Sequence, residues 1–146
     1  MNIEQMIEIY PQRPHLVILG AGASKDAMPD GDANGKPLPV MSEFISTLNL
    51  TDYIGKIEGV PKTDNIEDVY SWLANQERFV DERIVVENEI REYFSNITLP
   101  DTLTKYDLLV LSLRQKDCIA TFNWDGLLVQ AYQRMQKITT DLPQMV

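Results

Sequence analysis

The chain has almost no cysteine: Cys118 is the only one in 146 residues. A single thiol excludes an internal disulfide framework and any Cys-x-x-Cys metal site, and it fits a reducing compartment. Cys118 falls in an apolar run, so a buried, inert thiol is expected. Basic residues are also scarce, 13 Lys and Arg against 22 Asp and Glu, giving a formal net charge of −9. Such a field repels phosphate backbones and anionic lipid, and no cluster of Lys and Arg offsets it, so direct binding to nucleic acid or membrane is not expected. No apolar run approaches the ~20 residues that span a bilayer, and the start, MNIEQMIEIY, is acidic where a signal peptide is basic. These features predict a cytoplasmic, soluble protein. With no internal repeat, low-complexity stretch or dividing linker, residues 1–146 read as one domain.

What is present begins with a composition suited to a sizeable core, 44% hydrophobic with two Trp, six Tyr and four Phe. HLVIL at 15–19 is short, continuous and bounded by Pro14 and Gly20, so it predicts a strand buried on both faces; DCIATF at 117–122 has the same character. Between them the periodicity turns helical. Phe44, Ile45 and Leu48 mark a short helix. Ile66, Val69, Tyr70 and Leu73 mark a second, with Asp64 and Glu67 spaced as a capping box at its start. Ile84, Val86, Ile90, Tyr93, Phe94 and Ile97 mark a longer one, and Leu103, Tyr106, Leu109, Val110 and Leu113 another. Leu127, Leu128, Ala131, Tyr132 and Met135 form the stripe of a last helix. Two buried strands joined through helices are most simply parallel neighbours in an α/β sheet. Two strands make a thin sheet, so either segments such as YIGKIEGV add strands or the chain belongs to a larger α/β domain.

Ligands of open α/β sheets sit beyond the carboxyl ends of the strands, and both unusual polar turns of the chain lie there. In GAGASKD, Gly20 and Gly22 let backbone amides approach a ligand, the helix start that follows suits a diphosphate, and Ser24 adds a hydroxyl. A tight turn explains Gly-x-Gly equally well. The dehydrogenase fingerprint fails because Lys25 stands where its third Gly belongs and no second strand ends in an acid; a Walker loop is absent. DGDANGKP matches the opening of a calcium loop at Asp30, Asp32, Asn34 and Gly35, but Met41 occupies the position of the bidentate Glu. A mobile polar loop over the nucleotide pocket is expected instead. In TFNWDG, Asn123 and Asp125 straddle Trp124 where a strand gives way to a helix. An amide and a carboxylate can therefore face the glycine turn, although one of them capping the helix is the plainer reading.

The pair of motifs, strand-GAGAS and Thr-x-Asn-Trp-Asp-Gly about 100 residues on, resembles the sirtuin-like family, in particular bacterial sirtuin-like domains without the zinc ribbon. The family's Gly-Ala-Gly-x-Ser loop corresponds to Gly20–Ser24, and its Thr-Gln-Asn-Ile-Asp loop to Thr121, Phe122, Asn123, Trp124 and Asp125. The resemblance spans residues 15–135. It implies NAD+ bound on an incomplete, Rossmann-like parallel sheet with inserted helices, and no zinc. Gly20, Ala21, Gly22 and Ser24 would hold the diphosphate, with Thr121 and Trp124 completing the cofactor site. Asn123 would hold a ribose hydroxyl or the attacking water, and Asp125 the nicotinamide carboxamide, as the catalytic pair. Lys36, Pro37 and Pro39 fall where the family carries Gly-Ile-Pro-x-Phe-Arg, and no role is assigned to them.

Through the same resemblance the expected activity is cleavage of NAD+ to nicotinamide and ADP-ribose, as in NAD+ hydrolases of bacterial anti-phage defence, which often assemble into homo-oligomers. The leaving group is already a pyridinium, so such a protein mainly grips the diphosphate, orients the ring and stabilises an oxocarbenium-like transition state. The family's catalytic histidine should follow the Asn-x-Asp loop. The one histidine, His15, starts the first strand, ~15 Å from the glycine turn at ~3.3 Å per residue, and reads as structural. The expectation is therefore the N-terminal portion of a longer enzyme, with little or no turnover by this chain alone. A non-catalytic nucleotide-binding regulatory module and a purely structural domain are the alternatives.

Overall fold

The computed structural model describes residues 13–141. The acidic start and residues 142–146 lie outside them. The order is β1 (Leu16–Leu19), α1 (Ala21–Ala27), α2 (Met41–Thr47), α3 (Thr51–Ile54), α4 (Ile66–Ala74), a short 3-10 turn (Glu77–Phe79), α5 (Val80–Ser95), α6 (Lys105–Ser112), β2 (Cys118–Thr121) and α7 (Leu127–Asp141). The fold is α/β, and β1 and β2 pair in parallel, with Leu16 opposite Cys118 and Leu19 opposite Thr121. No helix among the described residues is long and apolar enough to cross a membrane.

Several expectations need correction. Neither strand is buried on both faces: Leu16 is 63% and Ile18 62% exposed, while Leu19 packs on the core. Burial of both faces requires cover on both, and the described helices cover one. Cys118 stands in register with Leu16 and is exposed with it, not buried. YIGKIEGV adds no strand; it leaves α3 through turns that bury Ile54 and Ile57. The cap of α4 is Asn65, whose side chain accepts from Glu67 N, rather than Asp64. Ile84, Leu103 and Tyr132, read as members of apolar stripes, are exposed.

The core has two parts. Phe44, Ile66, Val69, Leu73 and Val86 centre a cluster between α2, α4 and α5. Ala27, Leu38, Ile97, Tyr106, Leu127 and Ala131 centre another beside the sheet. Tyr93 and Phe94 pack against both. Each fully buried large apolar side chain contributes about 1.5–3 kcal/mol over its exposed state. The seam between the clusters opens at the carboxyl ends of the strands.

The segment 30–37, expected from its composition to be a mobile loop, is tied by hydrogen bonds centred on Asp32. Asp32 is buried, and its Oδ1 accepts from Asn34 N and Lys36 N, both at 2.8 Å, while Oδ2 accepts from Thr98 N at 3.2 Å. Burial works to raise the Asp32 pKa, but these backbone donors outweigh it and hold the carboxyl below its usual range. The carboxylate stitches the loop to the segment after α5. Gly31 is needed there: its φ is +92°, and a Cβ would stand 2.6 Å from Lys36 O. Gly31→Ala should therefore lower stability by about 1–3 kcal/mol, measured by urea unfolding.

Candidate functional site

The glycine turn leaves β1 directly into α1. Gly20 is the N-cap in extended backbone (φ −122°, ψ −179°), with no side chain to satisfy the first amides of the helix. Ala21 and Gly22 N–H groups have no intrahelical acceptor by helix geometry, so they are open to a ligand. No heavy atom beyond the chain neighbours and the helix's own backbone lies within 4 Å of a Cβ position at Gly20 or Gly22. One turn further, Ser24 points inward and is 2% exposed.

The second turn begins at the same level, because Phe122 N donates to Leu19 O at 3.1 Å and carries the parallel ladder one residue past β2. Thr121 Oγ1 accepts from Asn123 N at 3.1 Å, which folds the chain back. Asp125 Oδ1 accepts from Leu127 N, the first residue of α7, at 3.1 Å. Asp125 is therefore also the helix-capping residue that the plainer reading expected. Its Oδ2 accepts from Ser24 Oγ at 2.7 Å across the sheet ends.

Ser24 Oγ also lies 2.7 Å from Tyr106 Oη and accepts from Asn123 Nδ2 at 2.8 Å; Nδ2 further donates to Tyr106 Oη at 3.2 Å. Burial pushes the Tyr106 phenol above its ordinary pKa, the charge of Asp125 adding to the rise and hydrogen bonds with Ser24 and Asn123 opposing it. Tyr106 is thus a protonated phenol at neutral pH. Sequence reading placed Tyr106 in an apolar stripe and missed it. The available signal was its hydroxyl, since a buried tyrosine needs a polar partner.

Ser24, Asn123 and Asp125 form one wall of a pocket of about 190 Å³, with Tyr106 behind them. Ala21, Leu38, Pro39 and Met41 add apolar surface, and Glu67 and Asp125 are its charged residues. Trp124 stacks edge-on against Phe44 and Phe94, with ring centroids 5.6 and 6.3 Å away, and all three line the pocket. Asn123 Oδ1 is buried and has no hydrogen-bond partner. An acceptor left in that state costs about 1–3 kcal/mol. A wider hollow of about 690 Å³ between α2 and residues 55–64 contains none of the motif residues.

The structure thus brings together Ser24, Asn123 and Asp125, with Ala21 and Trp124 lining the pocket and Gly20 and Gly22 at the turn that leads into it. Thr121 is exposed and occupied with its own turn. Lys36 lies over the Tyr93 ring at 4.9 Å, and Pro37 O accepts from the Tyr93 hydroxyl, so both brace the loop; Pro39 lines the pocket. His15 sits at the opposite end of β1, where its N donates to Asp117 at 2.8 Å and its Nδ1 meets Arg114 Nη2 at 2.9 Å. Among the described residues no group of three or more His, Cys, Asp or Glu side chains could hold a metal ion. No protein-family model, curated protein or solved structure matches the chain.

Proposed function

We propose that the crevice binds NAD+ on a Rossmann-like sheet, as the nucleotide-binding part of a sirtuin-like NAD+ hydrolase. The observation that carries the reading is the unpartnered Oδ1 of the pocket-lining Asn123, buried in the free protein, which a ribose hydroxyl would satisfy on binding. The chemistry of the lining fits the nicotinamide end. Phe44, Phe94 and Trp124 offer aromatic surface, and Glu67 and Asp125 are the charged residues, so a cationic pyridinium is favoured over a neutral ring. About 190 Å³ takes one end of a dinucleotide and not the whole, since drug-sized ligands need about 300–1,000 Å³. The diphosphate then lies along Gly20–Gly22, against the free amides of α1. Asp125, with one oxygen on Ser24 and the other on Leu127 N, orients the carboxamide through its remaining lone pairs.

Binding without rapid cleavage is the second reading, a regulatory nucleotide module, and the position of His15 at the far end of β1 favours it for this chain. Two assays separate the readings. Calorimetric titration should show saturable NAD+ binding at one site, with NADH, whose ring is uncharged, at least tenfold weaker. Nicotinamide release should be at or near background for this chain, and brisk release inhibited by Asn123→Ala would instead support the hydrolase. Gly22→Val tests the phosphate cradle. A valine there is no worse a helix former than glycine and meets open space, so the thermal midpoint should hold while NAD+ binding is lost. Retained binding overturns the cradle.

A further inference from the structure

The hydrogen bonds of Ser24, Tyr106, Asn123 and Asp125 have a single consistent direction. A carboxylate accepts only, so the one proton of Ser24 Oγ goes to Asp125 Oδ2. With that proton committed, Ser24 Oγ can only accept from Tyr106 and Asn123, and Tyr106 therefore donates to Ser24. The phenol proton is then committed too, and Tyr106 Oη is left as an acceptor, which Asn123 Nδ2 fills. Asn123 Nδ2 is thus directed at Ser24 and Tyr106, two oxygens only 2.7 Å apart that act as a paired acceptor. The reversed amide would set Oδ1 against two oxygens that have no proton left to give, and would lose both bonds.

We propose that Tyr106 is a positioning residue: together with Ser24 it relays the polarity of the Asp125 carboxylate to the Asn123 amide and keeps Oδ1 free of internal partners, available to a ligand. The inference rests on the NAD+ reading for what Oδ1 grips, but the orientation itself is a property of the free protein. Tyr106 acts from 17 residues upstream, on α6, and does not line the pocket; its hydroxyl bonds Ser24 and Asn123, which do. Ser24 alone offers Nδ2 a single acceptor; Tyr106 supplies the second, so the NH2 end of the amide is preferred on that side over the oxygen.

The test compares the wild-type chain with Tyr106→Phe, which removes the hydroxyl and keeps the ring in the core. In 15N-labelled protein without ligand, hydrogen exchange of the Asn123 side-chain amide should be at least tenfold faster in the variant. The Kd for NAD+ should rise about tenfold. An unchanged Asn123 amide overturns the proposal. So does a spectrum altered throughout the molecule, because the hydroxyl would then serve the core as a whole. If wild-type protein shows no NAD+ binding while the amide still loosens in Tyr106→Phe, the positioning role stands and the NAD+ reading falls.

Discussion

Arg134→Ala should destabilise the protein by about 3–5 kcal/mol, the usual cost of leaving a buried charge without its partner. Against a total stability of about 5–15 kcal/mol for a domain, that loss lowers the thermal midpoint by on the order of 10 °C or more. The reason is Asp107, which is fully buried on α6. Arg134 on α7 donates to both of its oxygens, Nε to Oδ1 at 3.0 Å and Nη2 to Oδ2, and Nη1 donates to Pro100 O at 2.5 Å. Thr104 adds its N and Oγ1, each 2.7 Å from Oδ2, in a capping box that starts α6. Arg134→Lys should recover only part of the loss, because an ammonium cannot make the paired contact of the planar guanidinium.

The same carboxylate gives the pH dependence a sign. Burial works to raise the Asp107 pKa, but the bonds from Arg134 and Thr104 prevail, and the folded value lies below the ordinary one. Its contribution is therefore complete above the unfolded carboxyl pKa of about 4 and is lost as pH falls through the folded value. Acid unfolding followed by circular dichroism should show wild-type protein losing stability below about pH 4. Asp107→Asn, already less stable at neutral pH, should show a smaller dependence over that range. An equal dependence in both places the acid-labile group elsewhere.

The largest functional effect is expected at Asn123. Asn123→Ala removes the unpartnered Oδ1 together with two donated bonds, so its costs and gains to folding largely offset each other and the thermal midpoint should move little. Binding should suffer far more. A ligand hydroxyl that meets no acceptor in the pocket forfeits about 1–3 kcal/mol, which weakens NAD+ roughly tenfold to a hundredfold. Asn123→Asp should bind as poorly, for a different reason. It sets a second oxygen against Ser24 and Tyr106, whose protons are already committed, and it should also lower the thermal midpoint. The contrast between the two variants separates the grip on ligand from the internal relay.

The main lines of the fold were legible because local signals and tertiary contacts agreed. Pro14 and Gly20 bound LVIL, the helical crossovers made the strand pair parallel, and both polar turns reached the same end of the sheet. Where cover was inferred from composition, the reading failed. Leu16, Ile18 and Cys118 look like core in sequence, yet burial depends on what lies opposite, which a strand's own residues do not encode. Asp32 matched a calcium ligand by spacing, but its acceptors went to three backbone amides, one of them 66 residues away at Thr98.

At the site, Ser24, Asn123 and Asp125 could be found from motif and position, while their shared network could not. Tyr106 lies 82 residues from Ser24, and its ring satisfied the apolar stripe so well that its hydroxyl drew no notice. Asp107 and Arg134 are 27 residues apart on two helices whose sequences show no pattern linking them. Such pairs emerge only when α6 and α7 pack side by side.

NAD+ titrated calorimetrically into the wild-type chain and into Asn123→Ala under the same conditions should show saturable one-site binding to wild-type protein and at least tenfold weaker binding to the variant at an unchanged thermal midpoint. Equal affinity in the two, or no binding to the wild-type chain, would contradict NAD+ binding through Asn123.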